Sequence, residues 1–90
     1  MTAAHHYTVA IDSGALSRQN RAIAYNNRGV AWARLGDYER ALADFTEARA
    51  LTPGDSILFS NIQAAEQQVA GNMATASFAE RKRAGGLWFL

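Results

Sequence analysis

Few residues in this chain have types and spacings suited to chemistry. His5 and His6 are adjacent, a pair that invites a metal reading. On a helix, sequence neighbours point to different faces, and no Cys or acidic residue stands close to share a metal. The pair reads as surface, and no metal site is expected. Asp37, Glu39, Asp44 and Glu47 supply carboxylates within one short stretch. Acid–base catalysis needs two such groups held in unlike environments. These four read instead as a solvated outer helix face, with Arg40 and Asp44 at i,i+4 spacing. The absence of Cys removes thiolate catalysis, disulfides and Cys-based zinc sites. No Gly-rich phosphate loop, nucleophile elbow or zinc-binding helix motif is present. The expectation is a protein that is not an enzyme and uses no cofactor.

The totals narrow the class further. A chain of 90 residues makes one small domain with a modest core. Its hydrophobic fraction of 49% and its single Pro suit a folded, helix-rich chain. Nine basic and eight acidic residues leave a net charge of +1. Such a balance gives no field to gather nucleic acid, and no nucleic-acid partner is expected. The start, MTAAHHYTVA, lacks the basic and apolar regions of a signal peptide. No apolar run approaches the roughly 18 residues of a spanning helix, so a cytoplasmic location is expected.

Apolar residues recur at helical intervals, which predicts an all-α chain. A first helix is expected over residues 2–11, with Ala3, Tyr7 and Ala10 on one face, and Gly14 stops the pattern. A second begins after the N-cap candidate Ser17 and runs to Leu35. Gly36-Asp37 makes the turn, and a third runs from Tyr38 to Leu51, closed by Pro53-Gly54. A fourth, capped by Asp55 or Ser56, extends to Ala70. Gly71-Asn72 is expected to interrupt it, with a weaker helix over 73–84 and an apolar tail over 85–90.

Small and bulky residues alternate at fixed offsets from Tyr25 onward. The text gives Tyr25, Arg28-Gly29 and Trp32, then Gly36, Tyr38, Ala41, Phe45, Ala48 and Pro53. This pattern resembles a tetratricopeptide repeat over Ala22 to Asp55, matching the family's roughly 34-residue period. The resemblance implies that Gly29 and Ala41 are small where two antiparallel helices press closest, with the aromatics filling the space beside them. The pattern departs at Arg28, where Leu is usual. A shift by one period aligns Ile57 with Ile23, Phe59 with Tyr25 and Asn61 with Asn27. Residues 56–70 therefore resemble the first helix of a second unit and read as a capping helix. Residues 2–11 resemble the second helix of a preceding unit. The fold implied is a short right-handed α-α superhelix of antiparallel helix pairs, in one domain over residues 1–84. Its parts are a half repeat (2–11), a full repeat (18–55), the capping helix (56–70) and the weak extra helix.

The resemblance implies protein–protein interaction, as an adaptor, scaffold or assembly factor, with another protein or peptide segment as partner. In this family the first helices of the units line a groove. The groove residues implied here are Asn26, Asn27, Val30, Arg34, Ser60, Asn61, Ala64 and Gln68. Asn27 and Asn61 hold equivalent positions, and each amide offers a donor and an acceptor to a peptide backbone. Some members clamp a carboxylate with Lys residues in the groove. The only Lys here is Lys82, so that activity is not expected. An alternative is a structural subunit of a larger or homo-oligomeric complex. Its docking contacts would be Tyr7 and Ile11 on the first helix and Leu87, Trp88, Phe89 and Leu90 in the tail. Fold-back of that tail, contact with a second chain and contact with a membrane surface stay open, protein contact being favoured over membrane contact.

Overall fold

The structure is a computed structural model that describes residues 2–83, and side chains up to residue 71. It is all-α among the described residues. The elements are α1 (Ala3–Asp12), α2 (Arg18–Arg34), α3 (Tyr38–Leu51) and α4 (Ser56–Arg83). Each helix packs on the next in the chain, α1 on α2, α2 on α3 and α3 on α4.

Short polar side chains start every helix. Thr2 accepts a hydrogen bond from the His5 amide, Ser17 from Asn20 and Asp37 from Arg40. Asp55 Oδ1 accepts from the amides of both Ile57 and Leu58, at 2.9 and 3.3 Å, and so caps α4. Each bond satisfies an amide that has no partner inside its own helix.

Leu35, Gly36 and Asp37 make the α2–α3 turn. Gly36 lies at φ +82°, a conformation that costs a side-chain-bearing residue steric strain. The Asp37 amide donates to Trp32 O at 2.9 Å and the Gly36 amide to Ala33 O at 3.0 Å. This is the paired closure of a Schellman motif. Asp37 then caps α3, so the chain doubles back within a few residues and the helices run antiparallel.

The core lies where α3 meets α2 and α4. Ala41, Phe45 and Ala48 of α3 and Leu58, Ile62 and Ala65 of α4 are buried together. Tyr25, Val30, Trp32, Ala33 and Leu42 pack on this cluster. Ala41 and Ala48 have no exposed surface, so each is small where its neighbour helix passes closest. On α2, Gly29 faces the ring of Phe45.

One expected boundary is absent. The interruption at Gly71-Asn72 does not occur, and α4 is continuous from Ser56 to Arg83. A glycine inside a helix costs only about 1 kcal/mol relative to Ala, which good helix formers on either side offset. No Pro follows to enforce a stop. Residues 73–83, expected as a separate weak helix, are the end of α4. The tail residues Leu87, Trp88, Phe89 and Leu90 lie outside the described residues. Among the described residues, no helix is long and apolar enough to cross a membrane.

Gly29 supplies a test of the packing. A Cβ added there would stand 2.6 Å from Phe45 Cε1 and 2.8 Å from Cδ1. Phe45 is 3% exposed, so its ring has little room to yield. Helix propensity favours Ala over Gly by about 1 kcal/mol, but overpacking of a filled core costs about 1–3 kcal/mol. Overpacking should win. Gly29→Ala is expected to lower stability by about 1 kcal/mol in urea unfolding followed by circular dichroism. A more stable variant would mean that the α2–α3 spacing is not set at this point.

Candidate functional site

Two polar clusters join the helices, and they do different work. The first is buried and centres on Arg28. Its Nε donates to Asp44 Oδ2 and its Nη2 to Asp44 Oδ1, both at 2.7 Å. This bidentate pair spans α2 and α3. Nη1 donates to the Thr8 hydroxyl at 3.0 Å, and that hydroxyl donates to Ala4 O at 2.9 Å. The guanidinium also lies 5.5 Å from the centre of the Tyr25 ring. One side chain thus fastens α1, α2 and α3.

Hydrogen bonding to Asp44 raises the Arg28 guanidinium above its ordinary range, against a smaller opposing effect of burial. A base raised on folding stabilises the fold below its unfolded pKa. That contribution is therefore intact at neutral pH and is lost only in strongly alkaline solution.

This cluster corrects the reading of the acidic stretch. Asp44 is not on a solvated face, because it is 5% exposed and fully paired. Arg40 does not pair with it at i,i+4. Arg40 instead lies 3.5 Å from Asp37 and stacks 5.0 Å from the centre of the Trp32 ring. Glu39 and Glu47 are exposed, as are His5 and His6.

The second cluster lies between α2 and α4. Asn61 Nδ2 donates to Asn26 Oδ1 at 2.9 Å, across 35 positions of sequence. Both side chains are part-buried. Asn27 and Asn61 were expected to meet a ligand at equivalent positions; among the described residues Asn61 bonds to Asn26, the neighbour of Asn27.

The remaining expected groove residues divide. Ser60, Ala64 and Gln68 on α4 and Arg34 on α2 are exposed, and Asn27 is half-buried. Val30 is half-buried and packs on the core cluster, so it is in part structural. Two large apolar residues that were not among the expected contacts stand open beside the amide pair. Ile23 is 51% exposed and Ile57 65% exposed. They are 34 positions apart, the offset at which residues 56–70 were expected to resemble a second unit. On α1, Tyr7 and Ile11 are half-buried, which leaves less of them for an outside contact.

The helical stack and the face shared by α2 and α4 define a helical-repeat protein. Residues 22–55 match the family model for the tetratricopeptide repeat. This stretch, from Ala22 to Asp55, is a tetratricopeptide repeat, and repeats of this family mediate protein–protein interaction. No solved structure gives a significant match to the chain.

Removing one partner of the Arg28–Asp44 pair should cost far more than replacing both. A buried charge left alone typically costs about 3–5 kcal/mol, whereas apolar replacement of both partners is often neutral. Arg28 keeps 18% of its side chain exposed, which favours the lower end. Asp44→Ala is expected to lose about 3 kcal/mol in urea unfolding. Arg28→Leu combined with Asp44→Leu should stay within about 1 kcal/mol of wild type. Equal losses in both variants would remove the charge pair from its structural role.

Proposed function

We propose that the face shared by α2 and α4 is a groove that binds a segment of a partner protein through its backbone. The observation that carries this reading is the Asn26–Asn61 hydrogen bond. It uses the oxygen of Asn26 and one donor of Asn61. The amide N–H groups of Asn26 and the oxygen of Asn61 are left to face a ligand. Together they offer a donor and an acceptor, the complement of a peptide group's C=O and N–H. Because each amide orients the other, little side-chain entropy remains to be lost on binding.

Ile23 and Ile57 flank this pair and offer apolar contact that α2 and α4 do not use between themselves. Recognition of this kind fixes a segment without demanding one sequence, as an adaptor or assembly factor requires. Either an extended strand or the face of a helix meets the same groups. Docking as a structural subunit would rest on α1, where Val9 is 56% exposed, and draws less support than the groove does.

A photo-crosslinking residue at Ala64 should capture a partner in cells that express the protein, and one at Glu47 on α3 should not. Asn26→Ala with Asn61→Ala removes the amide pair and should weaken that partner's binding on the order of tenfold, from hydrogen bonds worth about 1 kcal/mol each. Capture at Glu47 alone, or unchanged binding by the double variant, would place the contact elsewhere.

A further inference from the structure

The face between α2 and α4 holds a pocket of about 100 Å³ near the start of α2, beside the α3–α4 turn. Ala22, Ile23 and Leu58 give it apolar walls. Ala22 and Leu58 are 4% and 2% exposed, so this backing is fixed by the core. Gln19, Asn26, Thr52 and Asp55 form the polar part. Asp55 is the charged residue of the lining, and no cation lines the pocket.

The nearby base Arg18 is held at the end of α3, where its Nε donates to Leu51 O at 3.0 Å, and is not part of the lining. Asp55 is held in place by the two amides that its Oδ1 accepts. Its second carboxylate oxygen makes no hydrogen bond among the described residues. Thr52, the C-cap of α3, brings the carbonyl end of that helix to the same place. A helix C-terminus favours a positive charge. The amino end of α4 acts in the opposite sense, and there Asp55 itself offsets it as the cap.

We infer that this pocket receives a lysine or arginine side chain of the partner segment, an inference that rests on the groove reading above. The aliphatic stem of such a residue lies along Ile23 and Leu58, and its cationic head meets Asp55 with the side-chain oxygens of Thr52 and Gln19 close by. Long basic side chains combine an apolar stem and a charged head in this way. A carboxylate would face the carboxylate of Asp55, with no cation in the lining itself. A wholly aliphatic side chain would displace water from four polar side chains and return no hydrogen bond.

The test uses the whole chain, labelled with nitrogen-15, and two small probes. One is Nα-acetyl-lysine N-methylamide; the other, its uncharged shape match, is Nα-acetyl-norleucine N-methylamide. Each is titrated into wild type and Asp55→Asn. Asn caps a helix as well as Asp does, so the variant keeps α4 and loses the charge. The lysine probe should shift the amide signals of Ile23, Asn26 and Asp55. It should bind about three- to fivefold more tightly than norleucine, as an exposed ion pair allows. Asp55→Asn should abolish that preference. Equal binding of the two probes, a preference that survives in Asp55→Asn, or no shift at these residues with either probe would overturn the inference. Partner capture distinguishes it from the groove reading. If Asn26→Ala with Asn61→Ala loses the partner while Asp55→Asn keeps it in full, the groove stands and the basic anchor falls.

Discussion

Two neighbouring residues of α2 meet two neighbouring residues of α3, and the remaining structure depends on that meeting. Gly29 has no side chain, so the ring of Phe45 occupies the space a Cβ would need. The axes of α2 and α3 are thereby allowed to come close. At that separation Arg28 reaches both oxygens of Asp44 at 2.7 Å. Were the helices farther apart, Asp44 would be buried without its partner, a state costing several kcal/mol. Were Phe45 smaller, the close approach would leave a void. The apolar contact and the ion pair therefore each require the spacing that the other sets.

The face shared by α2 and α4 inherits its geometry from this packing. Phe45, Ala41 and Ala48 present α3 to α4, where Leu58, Ile62 and Ala65 complete the cluster. Ile62 follows Asn61 directly in the chain. Burial of Leu58 and Ile62 against α3 turns Asn61 toward α2, where Asn26 waits at hydrogen-bond distance. The two helices that bear the amides are held mainly by a third, which lies behind the face they share. A face supported in this way has its polar groups held in position by packing from behind.

The parts of this arrangement that rest on local chemistry were legible in the sequence. Ser17 caps the helix it was expected to cap, because an N-cap needs only a short acceptor at a helix start. Gly36 stops α2 because only glycine takes its backbone angles without strain. The parts that rest on side-chain reach between helices were not legible. Asp44 looked solvated because its neighbours Glu39, Arg40 and Glu47 are charged, and a helix pattern does not show which charge finds a partner on another helix. The departure at Arg28 was its one visible sign, since a base in a place usual for Leu must be paired if buried. Asn26 was named among the expected groove residues, but its bond to Asn61 was not foreseen, because contact between helices depends on how they are rotated. Gly71 misled in the opposite direction, since a propensity cost of about 1 kcal/mol is not a stop signal in a strong helical context.

Why Arg28 should stand where the family usually has Leu follows from what each residue can fix. Leucine packs against neighbours over a range of rotations, because dispersion contacts are individually weak and non-directional. A bidentate guanidinium–carboxylate pair accepts a narrow set of orientations. A buried ion pair adds little to net stability, but broken it is costly, so it penalises every rotation of α3 that separates Arg28 from Asp44. The third arm, through Thr8, extends the same penalty to α1. In a chain with so small a core, apolar packing alone leaves the helix angles loosely determined. The rotation of α3 sets where α4 lies, and α4 carries half of the amide pair. The ion pair on one side of the stack and the hydrogen bond on the other thus answer to a single constraint, and the orientation of the face that α2 and α4 share is what that constraint determines.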